Sequence, residues 1–189
     1  VHTDEAEREV LADTDTVVTH CPSSNMKLAS GIAPVQDYLD RGITVALGND
    51  GPPCNNTLDP FTEMRQASLL GKVDARDPTR LPAATVLEMA TEHGARAAGF
   101  DRLGALREGH RADVIGITTD LTRATPLHDP LSHLVYAAHG DDVTFTMVDG
   151  AVRYADGEHV GTDAATVRQR ATRHAERVVE QAGIDTAKP

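Results

Sequence analysis

Nowhere in this chain do apolar residues continue for the roughly 20 positions that a membrane-crossing helix needs, so a transmembrane anchor is not expected within it. Cysteine is scarce. Cys21 and Cys54 are the only two, and without a secretory signal they fit a reduced, cytoplasmic protein better than a disulfide-stapled one, although the bridge stays geometrically open. Basic residues are outnumbered 18 to 29 and the formal charge is −11, which argues against nucleic acid or an anionic membrane as the main partner. Lysine occurs three times, at Lys27, Lys72 and Lys188, a composition that also suits a salt-adapted organism. There is no Gly-rich phosphate loop, no Gly-x-Ser-x-Gly elbow and no Cys-x-x-Cys pair, so phosphate cradling and covalent acyl transfer lack their usual sequence supports. Ser23 and Ser24 follow a proline with no identifiable base, and Cys54 follows two prolines with no helix amino end beside it.

What is present is an alternation. A helix is predicted over residues 3 to 12, with Asp4 and Glu7 at capping-box spacing and Val10 and Leu11 inward. A β-branched strand over Thr16 to Thr19 comes next and runs into His20-Cys21-Pro22-Ser23-Ser24-Asn25, read as a loop because Pro22 ends ladder pairing. A helix over Ala33 to Arg41, with Val35, Tyr38 and Leu39 inward, leads through Gly42 to a buried strand over Ile43 to Leu47. Asp59-Pro60 then opens another helix whose apolar face is Phe61, Met64 and either Ala67 or Ser68. Strands alternating with helices imply parallel pairing, with the polar loops 20 to 25 and 50 to 58 on one face at the strand carboxyl ends. Two such strands leave open edges, so most of a barrel or sheet would lie outside this sequence.

The second half changes character. Leu81 to Phe100 is predicted helical with an interruption at Gly94. Short β segments are expected at Asp113 to Thr118, Val143 to Val148 and Ala151 to Tyr154, the last two joined by an Asp149-Gly150 hairpin signal. A terminal helix over about 163 to 182 carries a stripe of Val167, Ala171, Ala175, Val178, Val179 and Ala182. The boundaries expected are 1–80, 81–108, 109–160 and 161–189.

Asp50 is the residue to explain. It stands at the carboxyl end of a buried strand, before a loop too rich in Pro, Asn and Gly to continue a regular element, where α/β folds place catalytic groups. A cap on its own turn and a functional carboxylate are both open at this point. His20 ends the preceding strand on the same face. His2 and Glu5 have the spacing of a metal-bound imidazole and its acid/base partner, against the alternative of a first-turn helix residue. His93, His110, His159 and His174 read as solvated, and His128, His133 and His139 as packing residues without regular ligand spacing. Metal-assisted hydrolysis around Asp50 would need three further ligands.

Taken together, Thr-His-Cys-Pro-Ser-Ser-Asn-Met-Lys-Leu-Ala-Ser-Gly-Ile-Ala-Pro-Val (19 to 35), Val-Ala-Leu-Gly-Asn-Asp-Gly-Pro-Pro-Cys-Asn-Asn-Thr-Leu-Asp (45 to 59) and Phe-Thr-Glu-Met-Arg-Gln-Ala-Ser-Leu-Leu (61 to 70) resemble the amidohydrolase superfamily. The branch they are most similar to is that of methylthioadenosine/S-adenosylhomocysteine deaminases and triazine chlorohydrolases. Gly109 to Ile115 and His128 to Gly150 resemble the family's β-sandwich. The resemblance implies an α/β fold: the last strands and helices of a (β/α)8 barrel, part of a small composite β-sandwich and a C-terminal helix. It implies one divalent metal ion, Zn or Fe, with Asp50 as ligand and as the base that takes a proton from the attacking water. His20, Asn25 and Cys54 would face substrate, a small molecule with an aminated or chlorinated heteroaromatic ring. The family's three metal-binding histidines, its acid/base Glu and its sixth-strand His have no counterparts here, so the chain would begin just after the sixth strand and be inactive alone. It would act as a homo-oligomer or be completed by an N-terminal segment. Cys54 stands where many members have Ser, and Asn49 where Thr or Ser is common. The alternatives are a docking module or one half of a split enzyme.

Overall fold

Helix α1 (Glu5–Asp13) begins where the sequence predicts, because Asp4 accepts from Glu7 N and Glu7 Oε2 accepts from Asp4 N, both at 2.9 Å. The coordinates are a computed structural model that describes residues 1–184; the tail expected after the last helix, 185–189, lies outside the described residues. Leu11 packs on the core, but Val10 is 59% exposed and does not turn inward. Strand β1 is Val18–His20, shifted along the chain from the β-branched run. The next stretch is a helix, α2 (Pro22–Lys27), not a loop, since Pro22 supplies a ready first-turn residue whose missing N–H costs nothing there. Helix α3 (Val35–Asp40) buries Val35 and Tyr38 and is tied to α1 by Arg8–Asp37 at 2.8 Å and Arg41–Glu5 at 2.8 Å.

Strand β2 (Val45–Leu47) pairs with β1 in parallel, Val18 opposite Val45 and His20 opposite Leu47, so both strand ends point to one side. Ile43 and Thr44 are buried but precede the ladder. The loop expected after Asp50 contains a short helix, α4 (Pro52–Asn55). Helix α5 (Pro60–Ala75) starts on Asp59, whose carboxylate accepts from Phe61 N at 2.9 Å. Its buried face comprises Phe61, Glu63, Met64, Ala67 and Ser68, so both small residues turn inward, and a glutamate does too.

The region from 81 to 100 is two helices, α6 (Ala83–Ala90) and α7 (Glu92–Ala97), and the break falls at Thr91, not at Gly94. Thr91 leaves helical geometry (φ −118°, ψ −87°), while Phe100 is 47% exposed and outside the core. The main cluster joins Tyr38, Ile43, Val45, Met64, Val86 and Met89 to Val135 and Ala138, the last two from α8 (Pro130–Tyr136) and just beyond it.

An antiparallel sheet in the order β3-β4-β5-β6 is formed by β3 (Val114–Ile117), β4 (Val143–Val148), β5 (Ala151–Ala155) and β6 (Glu158–His159), the last not anticipated from the sequence. Asp149 and Gly150 both have positive φ, 51° and 78°, as a two-residue hairpin of matching twist requires. Helix α9 (Ala164–Ala182) is capped by Asp163 and ended by Gly183, yet none of its residues is buried, and its apolar stripe meets no core within the described residues. No helix among them is long and apolar enough to cross a membrane.

Candidate functional site

The parallel pairing of β1 and β2 brings the segments after His20 and after Leu47 side by side. Gly48 is obligatory at this junction, because a Cβ there would lie 2.7 Å from Thr19 Cγ2 and 3.1 Å from Cys21 Sγ. Two residues on, Asp50 takes a left-handed conformation (φ 60°), which aspartate tolerates better than most residues. This turns its carboxylate outward at the strand end, where it is exposed.

Two donors hold that carboxylate. Ser24 Oγ on α2 donates to Oδ2 at 2.6 Å and the Gly51 amide donates to Oδ1 at 2.6 Å, with the Cys54 thiol of α4 nearby. Together, with Ser24 the largest contributor, they lower the Asp50 pKa below the usual carboxylate value, so the group is an anion at neutral pH. The turn-cap contact and an accessible carboxylate therefore coexist. A carboxylate has about four acceptor sites, so two donors leave roughly two for another group. Cys21 lies close by, its pKa raised by burial and then by the charges of Asp50 and Glu63. Both cysteines are free thiols.

His20 is placed quite differently. It is 4% exposed, and burial brings its pKa from 6.5 down to about 4. Its Nδ1 has no hydrogen-bond partner among the described residues. Asn25 is half-buried on α2 and its side chain makes no hydrogen bond among those residues. Thus the structure brings Asp50 and Cys54 together, buries His20 at the end of β1 opposite Leu47 and leaves Asn25 on the adjoining helix. His2 and Glu5 are occupied elsewhere, His2 Nε2 donating to Ser30 O at 2.6 Å and Glu5 pairing with Arg41. His93, expected to be solvated, donates from Nδ1 to the Val45 carbonyl at 2.9 Å.

Four participants escaped the sequence reading. Ser24 has a carboxylate partner and Ser23 bonds Glu63, contrary to the expectation that neither had one. Asn55, buried, donates to Glu63 Oε1 at 2.7 Å. Glu63 carried a partial signal: one residue before Met64 and four before Ala67, it stands beside the apolar face of α5, and a charged side chain buried there demands donors.

No group of three or more His, Cys, Asp and Glu residues able to hold a metal exists among the described residues. Asp50, ionised and accessible, fits as one ligand of a divalent ion and no more, since tetrahedral zinc takes four.

A parallel strand pair presenting an anionic carboxylate beside a helix-borne hydroxyl is the layout of a hydrolase site built at strand carboxyl ends. The sequence pattern of the Amidohydrolase family matches residues 1–153, and the chain belongs to that family. It is 51% identical over 183 residues to a 5-methylthioadenosine/S-adenosylhomocysteine deaminase of Haloarcula marismortui, covering 97% of this chain and 42% of that protein. It is also 51% identical over 152 residues to a 5'-deoxyadenosine deaminase of Methanothermobacter thermautotrophicus, covering 80% of this chain and 35% of the relative. Among solved structures, an adenosine deaminase from Xanthomonas campestris with bound zinc superposes with a TM-score of 0.90 at 39% identity, over 94% of this chain and 40% of that one. An atrazine chlorohydrolase from Arthrobacter aurescens complexed with zinc gives 0.83 at 27%, over 92% and 39%. The chain spans about two fifths of the length of the curated relatives it matches most fully.

Proposed function

We propose that these residues form the C-terminal portion of a metal-dependent hydrolase that removes an amino group from a purine nucleoside. Chloride release from a triazine-like ring is the related chemistry. The observation that carries this reading is the anionic Asp50 carboxylate, open at the end of β2 and held by Ser24 and Gly51, in a chain half identical to a 5-methylthioadenosine/S-adenosylhomocysteine deaminase. On this reading residues 1–80 close a (β/α)8 barrel, 81–108 connect, 109–160 belong to a β-sandwich, and the C-terminal helix completes the chain.

A bound divalent ion, Zn or Fe, would supply the acidity that makes water a nucleophile near neutral pH. Asp50 would be one of its ligands. Asp50 would also take the proton of the attacking water as the new carbon–oxygen bond forms on the ring; that proton passes on to the amino nitrogen, the carbon–nitrogen bond breaks and the nitrogen leaves as ammonia. Ser24 keeps one carboxylate oxygen in place through that exchange. Asn25 and Cys54 contact substrate, and His20 forms the neutral wall beneath it.

Among the described residues both edges of the β1–β2 pair are without a further strand, which supports completion by polypeptide outside these residues, in cis or in a homo-oligomer. A cytoplasmic setting accords with two free thiols. The test is to load the full polypeptide containing these residues with zinc and offer it adenosine, 5-methylthioadenosine and a chlorotriazine. Ammonia from the nucleosides is expected, and absence of both ammonia and chloride would overturn the reading.

A further inference from the structure

Glu63 is 1% exposed on α5, and no Lys or Arg pairs with it among the described residues. A buried carboxylate in that position has to be held by neutral donors. It finds them on two other helices. Oε2 accepts from the Ser23 amide at 3.1 Å, while Oε1 accepts from Ser23 Oγ and from Asn55 Nδ2, the latter at 2.7 Å.

These partners are the immediate chain neighbours of two residues set against Asp50. Ser23 precedes Ser24, which bonds Asp50 Oδ2, and Asn55 comes directly after Cys54, whose thiol lies beside the same carboxylate. Helices α2 and α4 have six and four residues, too few to be stable without tertiary anchors. Asn55 Oδ1 is itself committed to Thr57 and Leu58, so the α4 turn has little freedom once Glu63 holds it. Lys27 adds a second tie, donating from α2 to the Pro53 carbonyl at 2.6 Å.

We propose that Glu63 is the positioning residue of Asp50: by gripping Ser23 and Asn55 it sets the two short helices whose neighbouring residues, Ser24 and Cys54, aim the carboxylate. Glu63 acts through those helices and does not touch substrate. Both of its oxygens serve as acceptors, so Glu63→Gln, nearly identical in shape, puts an amide donor against an existing donor and releases α2 or α4.

The proposal rests on the function proposed above only for its catalytic consequence, and the experiment separates the two. In the full polypeptide containing these residues, the Cys54 alkylation rate is measured by mass spectrometry with iodoacetamide, using an added free-thiol peptide as reference. Cobalt affinity, the visible spectrum of the cobalt form, kcat, KM and the melting temperature are then compared with wild type. In Glu63→Gln, Cys54 is expected to react about 10-fold faster than in wild type as α4 loosens and its thiol becomes more accessible. Cobalt binding weakens about 10- to 100-fold with an altered spectrum, and kcat falls while KM holds. A folded Glu63→Gln with unchanged thiol rate and cobalt spectrum, and only a lower melting temperature, would overturn the proposal. If that variant does not fold, Ser23→Ala, which keeps the backbone donor and loses only the hydroxyl, is read the same way: smaller shifts in the same direction support positioning, and none overturns it. Should the wild type bind no metal and release no ammonia, the function fails, while the thiol rate still decides the role of Glu63.

Discussion

The two strand ends of the parallel pair have opposite fates. β1 ends on His20, buried, neutral and with a ring nitrogen unpartnered among the described residues, whereas β2 exits to Asp50, exposed, anionic and held by Ser24 and Gly51. In the sequence both are polar residues at the carboxyl end of a strand. The difference lies in the backbone beyond each. After His20 the chain turns at once into α2 and the ring stays buried, while Gly48 and the left-handed turn at Asp50 carry the carboxylate clear of the packing. Polar character at a strand end therefore marks a candidate, and the next few backbone torsions decide whether that candidate reaches solvent.

The comparison can be broken first at Asp50. Asp50→Ala in the full polypeptide is expected to lower kcat/KM by about 10²- to 10⁴-fold, the range for loss of a general base, in a steady-state ammonia-release assay. The His20 end is tested by pH. Because its folded pKa lies near 4 and the ordinary value is 6.5, the unfolded chain binds the proton first. Stability is then fully present above pH 6.5 and falls as pH drops toward 4, by up to about 3 kcal/mol. Urea denaturation at a series of pH values reads this out, and His20→Leu should flatten the profile in that window, with little loss of stability at pH 7 because Nδ1 has no hydrogen bond to lose. Ser24→Ala removes one hold on Asp50 and is expected to weaken metal binding about 10-fold, measured by competition with a chromophoric chelator. Cys54→Ser keeps a donor in place, so its effect on kcat should be smaller than that of Ser24→Ala. If Cys54→Ser proves the more damaging of the two, the thiol contacts substrate more than it supports the carboxylate.

Asp50, the capping box at Asp4 and Glu7, the α5 start at Asp59-Pro60 and the Asp149-Gly150 hairpin are all legible in the sequence because each is a local arrangement of a few neighbouring residues. The polar loops are harder. Pro22 and Pro52 read as breakers, yet each opens a short helix, since proline ends one element and begins another by the same fixed φ. Ser24, Asn55 and Glu63 escape detection as site residues because their partners lie 26, 8 and 40 positions away. The helix that carries the α9 stripe lies where the spacing predicts, but the stripe meets no core among the described residues: amphipathic spacing shows which face seeks burial, not what covers it.

The central claim is that Asp50 is the one metal ligand these residues supply. Isothermal titration of the 189-residue chain with Zn²⁺, set beside the full polypeptide and its Asp50→Ala variant, tests it most directly. The account predicts no stoichiometric binding by the chain alone, one tightly held ion in the full polypeptide, and its loss or severe weakening in the variant. Tight one-to-one zinc binding by the 189 residues by themselves would contradict it.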